Sequence, residues 1–275
     1  MPWSPTKIRW VNETLETSTG ASRVETDQGP GYAKFLGNPE GPQALFCELV
    51  GTRAASWLGL PTFEVAVVDV GEPGLVTYAD GSKSQAGPAF ITRQEIGTTW
   101  GGTASELMSV QNLDVLAGLV VLDTWLLNCD RYRPEGDKTR RNTRNVFLSG
   151  REAAKGKFRV VAMDHTHCFT CGRTITKAIG NIDRVRDTRL YGHFAEFRPH
   201  LTHEFVRGFA RKLSDLNKAT VDGFVASIPR PWDVSAEVRA AVTEFLADRA
   251  AFLSQNIRQM LMDQGELQPE LELGE

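Results

Sequence analysis

Apolar and polar residues alternate from Lys7 to Glu16 and again from Ser22 to Thr26, the period-two pattern of short strands. Asp27-Gln-Gly-Pro-Gly31 reads as a turn, Tyr32-Ala-Lys-Phe-Leu36 as a strand, and Gly37 to Pro42 as a loop. The period then lengthens. From Ala44 to Leu58, Leu45, Leu49, Arg53 and Trp57 share one face of a helix, with Gly59 as its stop signal and Pro61 beyond. Phe63 to Val70 and Pro88 to Thr92 are β-branched or aromatic runs of strand length.

After residue 98 the helical period takes over. Leu107, Val110, Leu113, Leu116, Val120 and Leu127 predict one long helical region from Ser105 to Asn128. Two short strands, Asn145 to Leu148 and Phe158 to Met163, read as a hairpin. Helices are expected over His200 to Leu216, Thr220 to Ala226 and Ser235 to Met262, followed by an acidic, frayed tail from Gln268 to Glu275. The pattern predicts an α+β protein with two lobes: a β-rich N-lobe over residues 1–98 and a mainly helical C-lobe over residues 99–275.

Composition changes this picture little. The 275 residues carry a formal net charge of −3, so no polycationic whole-chain charge or DNA-reading motif points to nucleic acid. No apolar run approaches the roughly 20 residues that span a bilayer, and the N-terminus lacks the basic-then-apolar layout of a signal peptide. The expected setting is the cytoplasm, with no membrane partner. Of the four cysteines, Cys47 and Cys129 sit in apolar contexts and read as buried thiols. Cys168 and Cys171 follow His165 and His167, a zinc-like grouping without the second ligand pair a structural zinc site uses, and reduced unligated thiols are the expectation.

The chemistry concentrates in a few polar residues beside apolar runs. Asp130 follows the long apolar helix; an acid there opposes the helix dipole and needs a local reason, such as pairing with Arg131 or a part in catalysis. Asn145 opens a Val-Phe-Leu strand, and Asp164 ends the run Phe-Arg-Val-Val-Ala-Met. Lys34 sits mid-strand, and fourteen residues on, Glu48 sits on the next helix. Each alone is ordinary: an edge lysine, a surface glutamate, a turn asparagine, a capping aspartate. Their order is the signal. A strand lysine held by a helix glutamate, then an aspartate, an asparagine and a second aspartate are the parts of a metal-assisted phosphoryl-transfer site.

Tyr32-Ala-Lys-Phe-Leu-Gly-Asn-Pro39, Glu48-Leu-Val-Gly-Thr-Arg-Ala54, Leu58-Gly-Leu-Pro61, Leu122 to Arg131 and Met163-Asp-His165 together resemble the HipA-like kinases, a branch of the protein-kinase-like fold related to phosphatidylinositol kinases. The resemblance covers roughly residues 30 to 170. It implies an ATP- and Mg²⁺-dependent serine/threonine protein kinase. Lys34 would contact ATP phosphates, oriented by Glu48; Asp130 would be the catalytic aspartate; Asn145 and Asp164 would bind Mg²⁺. Asp123 would brace the catalytic loop from behind, with Arg131, and Thr92 to Glu95 would meet adenine at the hinge. The partners implied are a protein substrate with a Ser or Thr acceptor and an antitoxin-like protein.

The chain departs from that family in two places. A polar, basic insert, Arg131 to Arg141, separates Asp130 from the asparagines; it reads as a solvated loop or a contact for an acidic partner, and Asn142 competes with Asn145 for the metal role. The first loop lacks a full GxGxxG; Gly29-Pro-Gly31 is its nearest counterpart, and Pro30 has no N–H to offer a phosphate. Two other readings stay open: a small-molecule or lipid kinase of the same fold, and a nucleotide-binding regulatory module without catalysis. Arg184, Arg186 and Arg189 form a basic cluster read as a solvated face.

Overall fold

The computed structural model describes residues 2–133, 140–169 and 171–267. The middle of the polar insert and the acidic tail from Gln268 lie outside the described residues. Strands β1 (Ile8–Thr14), β2 (Ser22–Thr26) and β3 (Gly29–Lys34) form an antiparallel meander. Thr26 pairs with Gly29, so the turn is only Asp27-Gln28, and the predicted turn residues Gly29, Pro30 and Gly31 belong to β3. Gly29 closes that tight turn at φ +95°, a conformation glycine reaches without penalty. Gly31 lets the strand that carries Thr92 approach, since a Cβ there would fall 2.7 Å from the Thr92 carbonyl oxygen.

Helix α1 (Gln43–Leu58) follows, ended by Gly59 in the left-handed region, with the Leu60 N–H returning to the Ala55 carbonyl. Strands β4 (Val65–Val70) and β5 (Gly87–Arg93) complete a five-stranded antiparallel sheet in the order β1-β2-β3-β5-β4. Alternation along β3 and β5 sends Ala33, Ala89 and Ile91 into a small core with Trp3, Val24 and Val68. It sends Tyr32, Lys34, Phe90 and Thr92 to the opposite face.

Beyond β6 (Gly97–Thr99), the predicted long helix is broken in two. Helix α2 (Ala104–Leu107) begins at a Thr103/Glu106 capping box, and α3 runs from Asp114 to Leu126. The break has a cause: between the two helices the Ser109 carbonyl accepts the Phe158 N–H and the Gln111 N–H donates to the Phe158 carbonyl. Helix α3 is buried from Val115 to Leu126, the centre of the larger core. Strands β7 (Tyr132–Arg133) and β8 (Arg140–Arg141) pair, so the insert is rooted in a short hairpin. Strands β9 (Val146–Ser149) and β10 (Arg159–Ala162) form the expected hairpin, joined by β6 on the far side of β9.

The rest is helical: α4 (Ile182–Val185), α5 (His203–Ser214), α6 (Lys218–Val225) and α7 (Ala236–Asp263). Helix α7 packs along α5, α6 and α3. The molecule is α+β, a β-rich sheet region beside a mainly helical part. Among the described residues, no helix is long and apolar enough to cross a membrane.

Candidate active site

Lys34 leaves β3 on the face away from the small core and meets two carboxylates. Its Nζ donates to Glu48 Oε1 from α1 and lies 3.3 Å from Asp164 Oδ1, just past β10. Thr166 closes the group: its hydroxyl lies 2.9 Å from Lys34 Nζ, 2.7 Å from Glu48 Oε1 and 2.9 Å from Asp164 Oδ1. Glu48 Oε2 accepts the His165 N–H. Three segments distant in sequence thus share one buried charge cluster, anchored on α1 by the helix glutamate.

The cluster divides its charge unevenly. Burial works against the Lys34 ammonium, but Asp164 and Glu48 outweigh it and hold the lysine charged. Burial raises the Glu48 carboxyl above the usual carboxylate range despite Lys34. Asp164 is less enclosed, with 27% of its side chain exposed against 4% for Glu48. Burial still pulls Asp164 upward, yet Lys34 and Thr166 hold it below the usual range, ionised and facing the cleft. Its backbone is left-handed at φ +56°, a conformation aspartate adopts more readily than most residues.

Asp130 lies four residues past α3, after Leu127 turns the chain at φ 51°. Its Oδ2 accepts from Asn145 Nδ2 at 2.9 Å, and Asn142 Nδ2 lies 3.5 Å from the same oxygen. Its Oδ1 faces His167 Nδ1 at 3.3 Å, and the other ring nitrogen of His167 faces Glu40 at 3.4 Å. The hydrogen bond to Asp130 raises the His167 pKa, against burial and with help from Glu40.

Behind this loop, Asp123 is fully buried and receives Arg131 Nε at 2.7 Å and Asn128 Nδ2 at 3.0 Å. Asn128 Oδ1 in turn accepts the Asp130 N–H at 3.2 Å, and Arg131 reaches the Met163 carbonyl at 3.0 Å. The sequence offered Arg131 as a partner of Asp130 or, with Asp123, as a brace behind the catalytic loop; in the structure it serves Asp123 and the strand end that precedes Asp164. One buried guanidinium ties the two aspartate-bearing loops together.

The cleft between the five-stranded sheet and the β9–β10 hairpin holds a cavity of about 620 Å³ lined by Tyr32, Lys34, Phe90, Met163 and Asp164. Thr92 and Glu95 both line it; Glu95 is committed to Ser149 at 2.6 Å. The roof is the β1–β2 loop, where Thr17, Ser18, Thr19 and Ala21 line the cavity. Gly29-Pro-Gly31 is a strand and not the covering loop. The signal for the true one was a Thr-Ser-Thr-Gly cluster between two alternating runs. Sequence reasoning also passed over Thr166, Glu40 and Asn128. Gly51 was missed too: a Cβ there would collide with the His165 side chain, so α1 needs glycine where the Asp164 loop crosses it. Burial pushes the His165 imidazole down to about 3, leaving it neutral in the core.

The thiol reading needs correcting. Cys129 and Cys171 form a disulfide, with Cα atoms 5.5 Å apart, while Cys47 and Cys168 are free and buried. No three His, Cys, Asp or Glu side chains are grouped to hold a metal among the described residues. The donors present fit Mg²⁺, which takes one or two protein oxygens and draws the rest from phosphates and water. Asp164 offers a carboxylate. Asn145 spends its amide nitrogen on Asp130, which leaves its amide oxygen as the atom for a cation.

No family model matches the chain, and no curated protein matches it in sequence. Among solved structures it is similar to the Helicobacter pylori proinflammatory kinase CtkA, with a TM-score of 0.60 over 96% of this chain and 99% of that one. The fold is that of a kinase. At 12% identity the likeness is one of backbone architecture. On this kinase fold the sheet, α1 and the β9–β10 hairpin frame one cleft, and the Lys34–Glu48–Asp164 cluster stands at its wall.

Proposed function

We propose that the protein is an ATP- and Mg²⁺-dependent phosphotransferase of the HipA-like type, transferring the γ-phosphoryl group to a Ser or Thr hydroxyl of a protein. The observation that carries this reading is the meeting of Lys34, Glu48 and Asp164 at the cleft wall while Asp130 is held nearby by Asn145.

Each residue then has a task. The adenine would sit between Tyr32, Phe90 and the hinge from Thr92 to Glu95. Lys34, kept charged by its carboxylates, would contact the phosphates, with the Thr17–Thr19 hydroxyls above them. Asp164 and Asn145 would hold Mg²⁺, which when bound neutralises charge on the phosphates. Asp130 would orient the acceptor hydroxyl and take its proton, and Asp123 and Arg131 would keep the Asp130 loop in place. Most of the rate would come from positioning and fixed charge.

The test is transfer of label from γ-labelled ATP to a protein or peptide acceptor. Asp164→Asn keeps a residue that tolerates the left-handed backbone and removes the charge. We expect it and Asp130→Asn each to lower transfer by about a hundredfold or more, the scale of losing a group that acts in the transition state. Asp130→Asn should leave ATP affinity nearly unchanged. Transfer untouched by both substitutions would overturn the assignment. Nucleotide binding without turnover by the wild-type protein would instead favour the regulatory-module reading.

A further inference from the structure

A second cavity, of about 390 Å³, is lined by Leu127 and Arg133, which flank the Asp130 loop in sequence. Arg133, Arg173, Arg184 and Arg189 all line it, together with the hydroxyl-bearing Thr174 and Thr176. No acidic side chain lines it among the described residues. Arg184 and Arg189, read from sequence as part of a solvated face, are thus joined by arginines from two other segments, while Arg186 is left out.

The wall is built rather than incidental. Arg249, fully buried on α7, donates to the carbonyls of Arg184, Val185 and Asp187 at 2.9 to 3.0 Å and to that of Thr124 on α3. This fixes the backbone that presents Arg184 and Arg189. Arg189 is aimed further by a two-pronged contact with Asp187 and by stacking over the Tyr191 ring. Arg133, Arg173 and Arg184 are all exposed residues.

The cavity also adjoins the reacting end of the site. Cys171 lines it and is bonded to Cys129, the residue before Asp130. Arg133 lies three residues after Asp130, at most about 11 Å along an extended chain. Four arginines lining one concave space suit a phosphate, which accepts paired hydrogen bonds on several oxygens. The volume exceeds one phosphate and suits a phosphorylated side chain with its neighbours.

We propose that this cavity binds a phosphate group already carried by the acceptor protein, so that the favoured target hydroxyl lies about two to four residues from a phosphorylated residue. The proposal rests on the phosphotransferase reading and names its substrate class. Two fluorescent peptides test it, identical except that one carries phosphoserine three residues from an acceptor serine and the other carries serine there. Anisotropy with the full chain should show the phosphopeptide binding at least about tenfold more tightly, the worth of one or two charge-assisted hydrogen bonds. Arg173→Gln with Arg184→Gln should erase the difference and leave ATP binding unchanged. Both side chains are exposed, so folding should survive, checked by the melting temperature.

Equal binding of the two peptides, or a preference that persists in the double variant, overturns the proposal. Phosphate found by mass spectrometry on Thr174 or Thr176 with no peptide preference assigns the cavity to the chain's own modification and also overturns it. Binding is read without turnover. A preference without label transfer to either peptide supports the cavity's phosphate role and refutes only the kinase reading. Transfer without a preference refutes only the cavity.

Discussion

His167 is the residue whose chemistry follows most directly from its neighbours. Its imidazole lies between Asp130 and Glu40, and its pKa is raised chiefly by the hydrogen bond to Asp130. A raised folded value means that the ion pair's contribution to stability is present below the ordinary imidazole pKa and is lost as pH rises through the folded one. While charged, His167 also draws on the Asp130 oxygen that would receive the acceptor proton. We expect kcat for transfer to rise as pH climbs through that raised value, and His167→Gln to remove the limb without changing KM for ATP. A pH profile unchanged by the substitution would refute the coupling. Lys34 and Glu48 were legible because a strand lysine and a helix glutamate fourteen residues apart suit one task. Thr166 and Gly51 were not, because a hydroxyl shared by three charges and a glycine under a histidine declare themselves only when the segments meet.

Among the elements, α7 does more than bury an apolar stripe. Its Arg249 supplies hydrogen bonds to carbonyls from α3 and from the α4 region, and burial lowers its pKa to about 10 without bringing it near neutrality. Arg249→Leu keeps much of the volume and removes the donor to these carbonyls, of which those of Thr124 and Val185 are buried. We expect a loss of at least about 3 kcal/mol in denaturant unfolding, since each orphaned buried group costs roughly 1–3 kcal/mol. A loss under about 1 kcal/mol would show that water serves these carbonyls equally well. The β9–β10 hairpin and the later helices were readable because their periodicities are local. The break between α2 and α3 was not: Leu107 to Leu127 keeps a helical spacing throughout, and Phe158, far along the chain, claims backbone groups of Ser109 and Gln111.

For the molecule as a whole, the Cys129–Cys171 disulfide joins the Asp130 loop to the segment after Asp164 across 42 residues. Closing a loop of that length constrains the unfolded chain, so reduction or Cys171→Ser should lower stability by about 2–4 kcal/mol. An unchanged melting temperature after reduction would argue that the bond adds nothing in solution. The sequence by itself determined the α+β class, most strands and helices, and the order of Lys34, Glu48, Asp130, Asn145 and Asp164, because hydrophobic period and residue type are local properties. Tertiary structure alone decided that Arg131 reaches the Met163 carbonyl, that the 15–21 loop roofs the cleft, which cysteines pair, and that four arginines from three segments line one cavity. Those are statements about which distant side chains meet, and pairing at a distance follows from packing the whole chain around α3, not from any window along it.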